Sequence, residues 1–281
     1  ATNLSLSFSL FQNLLRFLPI KLKKFNSQLN SSLINLLSDD ANYFNNCIQN
    51  IRFGNFFKTS SFNRLIQTYN YIISLKKEYN FVADIGSSDG SSSLDLTEKL
   101  NFNKFFFLDK YHECNLFIKD KNIYLFDDQN NLHMVETNHF IFYLDPIGLN
   151  KNFFNNFLSL YFKKIKIDNL QKISFLNPIY KKHKKRDKII YEKFDLFDNN
   201  ESNIKFDLLF ISNLLNKFHK NKKIINILRK KIDQITNEDS LIVMAENSSY
   251  ERSTIYLKNK NNYNILKRIN GGSLSENIFQ L

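Results

Sequence analysis

Two carboxylates and two glycines share the short stretch Asp84-Ile-Gly86-Ser87-Ser88-Asp89-Gly90, and a third carboxylate, Asp109, follows about twenty residues later. No Lys or Arg lies between Phe81 and Glu98. A pyrophosphate would meet like charge here, whereas a ligand with a cationic end would find carboxylates at hand. The elements that must hold these residues are legible on either side. Phe81–Ile85 reads as a strand, and Ser91–Leu100 as a helix with apolar positions at Leu94, Leu96 and Leu100. Lys104–Leu108 reads as a second strand delivering Asp109 at its end. Strand, glycine turn and helix form the nucleotide-binding corner of a doubly wound α/β fold.

The glycine spacing narrows the ligand. A dinucleotide fingerprint wants glycine at the first, third and sixth places, and counting from Gly86 the last two are Ser88 and Ser91. With Asp84 and Asp89 uncompensated in the local sequence, NAD is disfavoured. The aminoacyl sulfonium of S-adenosylmethionine suits the charges better. A carboxylate at Asp109 can accept both hydroxyls of an adenosine ribose.

The chain has 281 residues, enough for one large domain or a domain with an appendage, and 43% hydrophobic residues support a packed core. Its 39 basic and 27 acidic side chains give +12, which invites an anionic partner. The lysines are dispersed and arginine, the better reader of phosphates and bases, is scarce, so nucleic acid is not the expected partner. Phe17–Phe25, apolar and basic together, suits peripheral contact with an anionic membrane, although a helix end packed on its own domain is the commoner use. No apolar run reaches membrane-spanning length, and the N-terminal segment does not read as a secretory signal. Cys47 and Cys114 lie far apart in sequence, so a reducing cytoplasm is expected rather than a disulfide framework. His112 and Cys114 share a segment without further ligands at metal spacing, so no metal site is expected.

Along the chain, residues 1 to about 78 read as helical, with apolar groups at Leu14–Leu18 and Leu33–Leu37 and an amphipathic stretch from Phe62 to Lys77. After Asp109 the alternation stops until a strand at Lys188–Lys193, although a βαβ unit takes only about thirty residues. Hairpin-like pieces (Ile123–Phe126, His139–Leu144) and an aromatic helix (Asn152–Ile165) fill the gap, and the basic run Lys181–Lys188 reads as a solvated loop. The alternation then resumes. Phe206–Ser212 is a buried strand, Lys222–Ile235 a helix and Leu241–Ala245 a strand, followed by a hairpin from Thr254–Leu257 and Tyr263–Ile269. The expected fold is α/β: a Rossmann-like, doubly wound, mostly parallel sheet with an antiparallel edge hairpin, plus N-terminal helices and an inserted cap. Its expected division is a helical appendage at 1–61 and a cofactor-binding domain at 62–281, with the cap at about 110–187 beside the cofactor mouth.

On these motifs the chain resembles the class I S-adenosylmethionine-dependent methyltransferases, across roughly residues 62–281 minus the insertion. The resemblance implies a seven-stranded sheet ending in an edge hairpin, and S-adenosylmethionine as cofactor. It also implies a binding set of Asp84, Gly86, Ser87, Ser88, Asp89, Gly90, Asp109, Asp195, Leu196 and Asn213. In that set Asp109 takes the ribose hydroxyls and Asp195, in Phe-Asp195-Leu196-Phe, accepts the adenine amino group. Ser88 stands where the family often has glycine. Ile211-Ser-Asn213-Leu-Leu-Asn216 is similar to the Asn-Leu-Leu segments of several subfamilies, chemotaxis-receptor methyltransferases among them. The implied activity is methyl transfer to an acceptor (small molecule, lipid or protein) that the sequence leaves open. The alternatives are a non-catalytic cofactor-binding scaffold and a peripheral membrane protein with the same fold. No general base stands out; His219 is near enough, but a surface histidine is the commoner reading.

Overall fold

The computed structural model describes residues 20–22, 32–53, 56–144, 169–198, 204–214, 221–247, 250–260 and 262–279. The chain divides into two compact units, Ala1–Thr59 with Glu113–Pro178, and Ser60–His112 with Ile179–Leu281.

The second unit carries the expected sheet. Its strands are β1 (Glu78–Ile85), β2 (Asn101–Asp109), β3 (Ile189–Lys193), β4 (Phe206–Ser212), β5 (Thr236–Asn247), β6 (Glu251–Asn259) and β7 (Asn262–Ile269). They lie in the order β3-β2-β1-β4-β5-β6-β7. The first five are parallel to their neighbours, and β6 runs antiparallel to both β5 and β7. The fold is therefore a Rossmann-like, mostly parallel α/β sheet closed by an antiparallel hairpin. Its topological switch point falls between β1 and β4, where such sheets open a crevice at the carboxyl ends of their strands.

Strand parity explains the layers, because alternate side chains face opposite sides. On one face Ala83, Ile85, Phe106, Leu108, Leu209 and Ile211 share a core with Ile225, Leu228, Ile232 and Ile235. Those four isoleucines and leucines sit at helical spacing on α3 (Lys222–Ile235), and Asn221 caps it by accepting from Ile224 N. On the other face lie α1 (Ile66–Ser74) and α2 (Leu94–Lys99), with the Tyr69 ring edge-on to Phe210 at 5.6 Å. Helix α1 has no local cap. Glu251 supplies one from afar, accepting Gln67 N at 3.0 Å, Thr68 N at 2.7 Å and the Thr68 hydroxyl at 2.5 Å. It starts at Ile66 rather than Phe62, since the donors of its first turn find their acceptor there.

The first unit departs from expectation. It holds a six-stranded antiparallel sheet in the order Ile20–Leu22, Phe140–Tyr143, Leu132–Glu136, Asn122–Phe126, Glu113–Lys119 and Gln171–Ser174. The two hairpin-like pieces are thus separated by an intervening strand. Within the N-terminal part, Leu33–Leu37 is a 3-10 turn, Ala41–Ile48 an α-helix and Arg52–Phe57 a small hairpin. The expectation of N-terminal helices therefore holds only in part: Ile20–Leu22 is a strand because the edge Phe140–Phe142 offers it a hydrogen-bonding partner, which local periodicity cannot show. Glu136 ties the same segment down, accepting the Ser32 hydroxyl at 2.5 Å and Leu33 N at 2.6 Å. The described residues of 20–59 in the expected appendage and of 113–178 in the expected cap fall into one compact unit, while 60–61, 110–112 and 179–187 belong to the other. The groups at Leu14–Leu18 and Asn152–Ile165 lie outside the described residues. No helix among the described residues is long and apolar enough to cross a membrane.

Candidate functional site

The turn after β1 is held by its neighbour strand: Gly86 N donates to Leu108 O at 2.7 Å. Gly86, Ser88 and Gly90 all take left-handed backbone conformations, with φ of 73°, 59° and 77°. Such a conformation costs a non-glycine residue about 1–2 kcal/mol, the physical reason glycine is common at the place Ser88 occupies. Gly90 is needed twice over, since a Cβ there would press on the rings of Tyr180 and Phe107 at 3.1 and 3.2 Å. The turn is pinned from outside by two phenols. Tyr191 donates to Ser88 O at 2.7 Å and Tyr180 to Gly90 O at 2.8 Å.

The carboxylates expected to be at hand for a cationic ligand are all buried. Asp84, Asp89 and Asp109 are 3%, 0% and 9% exposed. Asp84 sits on the face covered by α1 and α2, where it accepts the Ser93 hydroxyl at 2.7 Å, and Ser93 contacts the Tyr69 hydroxyl at 3.0 Å. Burial pushes Asp84 up to about 7; the Ser93 hydroxyl and the Arg64 guanidinium pull it down, and the Asp109 carboxylate adds to the rise. The local absence of cations around Asp84 is thus answered by Arg64, which arrives from before α1. Asp89 folds back to accept Ser91 N at 3.0 Å, an Asx turn that starts the helix. Asp109 accepts Ser88 N and Tyr111 N, both at 2.9 Å, tying the end of β2 to the glycine turn.

Asp195 reaches the same end of the sheet, because Phe194 N donates to Asp109 O at 3.0 Å just beyond β3. Its carboxylate is engaged by Lys110 at 2.8 Å and Phe197 N at 3.0 Å. Leu196 is buried in the core beside Ile85 and Leu108. Asn213 takes φ 57° directly after β4, its N–H donating to Ala245 O at 2.9 Å. All ten residues singled out in the sequence therefore lie at the carboxyl ends of β1 to β4 or in the turns that follow them. Asn216 and His219 are outside the described residues. His112 instead lies beside Tyr191 with the rings tilted, at 5.9 Å between ring centroids, and Cys114 is buried in the first unit.

Sequence reasoning missed Ser93, Tyr69, Arg64, Lys110, Tyr180 and Tyr191. Ser93 and Lys110 were within reach, one in the turn and one next to Asp109. The tyrosines and Arg64 come from distant segments and leave no local signal. The basic run 181–188 is also more than a solvated loop: the Lys185 ammonium donates to Thr97 O, Glu98 O and Leu100 O at 3.1, 2.9 and 2.8 Å, closing the carboxyl end of α2.

The observation that most resembles a ligand site is an unmet need. Among the described residues, the buried Ser87 and Ser88 hydroxyls find no hydrogen-bond partner. Buried polar groups almost always find partners, so two orphans side by side in a turn at the switch point call for an explanation.

No protein-family model matches the sequence, and no curated protein matches it. Solved structures do. The chain is similar to a candidate S-adenosyl-L-methionine-dependent methyltransferase of Methanococcus maripaludis, with 12% identity, a TM-score of 0.33, and 64% of this chain and 53% of that one covered. It is similar to the N-methyltransferase NodS of Bradyrhizobium japonicum at 8% identity and a TM-score of 0.31, with 64% of each chain covered. A third is the S-adenosylmethionine-dependent methyltransferase of Mesorhizobium loti, at 11% identity and a TM-score of 0.30, covering 64% of this chain and 52% of that one. The chain spans less than two thirds of the length of each. At such identities and scores the functional reading is left to the chain's own residues.

Proposed function

We propose that the second unit binds S-adenosylmethionine at the carboxyl ends of β1 to β4 and that the protein transfers its methyl group to an acceptor still to be identified among small molecules, lipids and proteins. The observation that carries this reading is the pair of orphaned hydroxyls, Ser87 and Ser88, in a turn already joined to Asp109. A buried hydroxyl left unpaired costs about 1–3 kcal/mol, which a ligand with polar groups in that corner would return. The residues present fit the cofactor. Asp109 would take the ribose hydroxyls on its remaining lone pairs, Ser87 and Ser88 would contact the aminoacyl part, and Asp195 would accept the adenine amino group beside Lys110. When bound, the sulfonium supplies a methyl group already activated for transfer.

The chain's own residues then have modest work. They orient the reacting groups in line and exclude water, and effective concentration does much of the rest. Asp84, poised near neutrality behind the turn, holds the turn through Ser93 rather than meeting an acceptor. The free, buried thiols Cys47 and Cys114 suit a reducing compartment such as the cytoplasm.

Isothermal titration of the folded chain with S-adenosylmethionine tests the reading, with nicotinamide fluorescence as the competing arm. Heat of binding, with methyl transfer from labelled cofactor to a cell extract, is the expected result. A folded sample that gives no heat, or that prefers a nicotinamide dinucleotide, overturns it; binding without transfer returns the scaffold alternative.

A further inference from the structure

The two lips of the switch-point crevice are the turn after β1 and the residues after β4. Asn213 leaves β4 in the left-handed region, and that reversal lays the Leu214 side chain on Gly86. A Cβ placed on Gly86 would stand 2.6 Å from Leu214 Cδ1, 2.7 Å from Cγ and 2.8 Å from Cδ2. Three carbons at nearly equal range mean that the isobutyl group lies flat over the glycine, not touching it with one methyl. Leu214 also packs against the core that contains Ile85, Leu108 and Ile211, so apolar burial holds it there. Gly86 is thus required for a contact within the chain, as well as for its φ of 73°.

We propose that Leu214 sets the affinity for the cofactor: its isobutyl group covers Gly86 where the aminoacyl arm must approach the backbone, and binding requires it to move aside. This rests on the S-adenosylmethionine reading. The neighbouring Ser87 and Ser88 hydroxyls would gain their partner in the same step that uncovers Gly86. A protein whose competent arrangement is only partly populated binds with an affinity reduced by that fraction, so shortening the cover should tighten binding.

Titration of the full chain with S-adenosylmethionine and, separately, with adenosine tests this in wild type, Leu214→Ala, Leu214→Val and Leu214→Phe. Leu214→Ala should bind S-adenosylmethionine roughly tenfold tighter, with Leu214→Val between it and wild type and Leu214→Phe weaker. Adenosine, which lacks the arm, should bind all four within about twofold. A second measurement needs no ligand. Gly86→Ala should lower the melting temperature more in the wild-type background than in Leu214→Ala, where the clash is relieved and only the backbone strain remains. Binding by wild type with no gain in either shortened variant overturns the role of Leu214 alone. Equal cost of Gly86→Ala in both backgrounds does the same. Cooperatively folded proteins that bind no S-adenosylmethionine in any version overturn both this inference and the function it rests on.

Discussion

Asp127, in the antiparallel unit, and Asp84, in the parallel sheet, are both buried aspartates at the carboxyl end of a strand, and they titrate in opposite directions. Asp127 follows Asn122–Phe126 and spends both oxygens: Oδ1 accepts Gln129 N at 2.9 Å and Asn131 N at 2.8 Å, and Oδ2 accepts the Asn131 amide and His133 Nε2, each at 3.0 Å. Burial alone would raise it, but bonds from His133 and Asn131 outweigh that and hold it at about 2. For Asp84 burial is the larger effect, and with one hydroxyl accepted from Ser93 the group stands at about 7. The difference lies in the supply of donors together with the stronger burial of Asp84. Glu246 is also well supplied with donors, taking the hydroxyls of Ser273 and Ser275 and the amides of Leu274 and Ser275. Carboxylates that only build the fold have their bonds completed. The glycine turn, with Asp84 behind it and two idle serine hydroxyls, does not.

This contrast can be broken by experiment. The largest effect concerns Asp84. Its folded pKa, about 7, exceeds the ordinary 3.8, so the native state holds the proton more tightly than the unfolded chain. Its contribution is fully present below about pH 4 and lost as pH rises to about 7, a change on the order of 4 kcal/mol. Denaturant unfolding across that window should show a falling stability that Asp84→Asn flattens; parallel curves would mean the carboxyl is not strained by burial. Asp127 should do the reverse. Its stabilisation is present above about pH 4 and fades toward pH 2, and Asp127→Ala should cost about 2–3 kcal/mol at neutral pH by stranding the groups that bond it. An unchanged midpoint for that variant would remove the comparison's structural arm.

The next two predictions sharpen the other arm. Asp109→Ala should weaken S-adenosylmethionine by at least tenfold in titration, about 1.5–3 kcal/mol, because charged hydrogen bonds to the ribose are lost. Smallest is Ser87→Ala. With no partner to lose in the free protein, the variant should melt at or slightly above the wild-type temperature, yet bind the cofactor several-fold more weakly, on the order of 1 kcal/mol. A clear loss of stability in the free variant would show that the hydroxyl is already bonded and is not reserved for a ligand.

What was legible beforehand follows from the range over which each signal acts. The helix Lys222–Ile235 could be read residue for residue, because its apolar spacing and its Asn221 cap are both local. The strand, turn and helix around Gly86 were legible in kind and order but not in their bounds: the strands run Glu78–Ile85 and Asn101–Asp109, and the helix opens with a 3-10 turn at Ser91–Ser93 before Leu94–Lys99. The antiparallel sheet of the first unit was legible only in fragments. Gln171–Ser174 becomes a strand by pairing with Glu113–Leu116 across a long stretch of chain, and Glu113–Lys119 is paired on its other side by the hairpin partner Asn122–Phe126. The expectation that a cationic ligand would find these carboxylates at hand is not met at Asp84 for a related reason: sequence shows which residues carry charge, but only packing of α1 and α2 shows that Asp84 is covered.

By itself the sequence determined the order of the parallel sheet's elements and the residue types at its glycine turn, since hydrophobic period, turn chemistry and caps act within a few residues. Only the tertiary structure decided that Arg64 and Tyr69 stand behind Asp84, that Glu251 starts helix α1, and that Leu214 covers Gly86. Those are meetings of side chains from distant segments, set by how strands align and pack, and no local pattern in the chain encodes them.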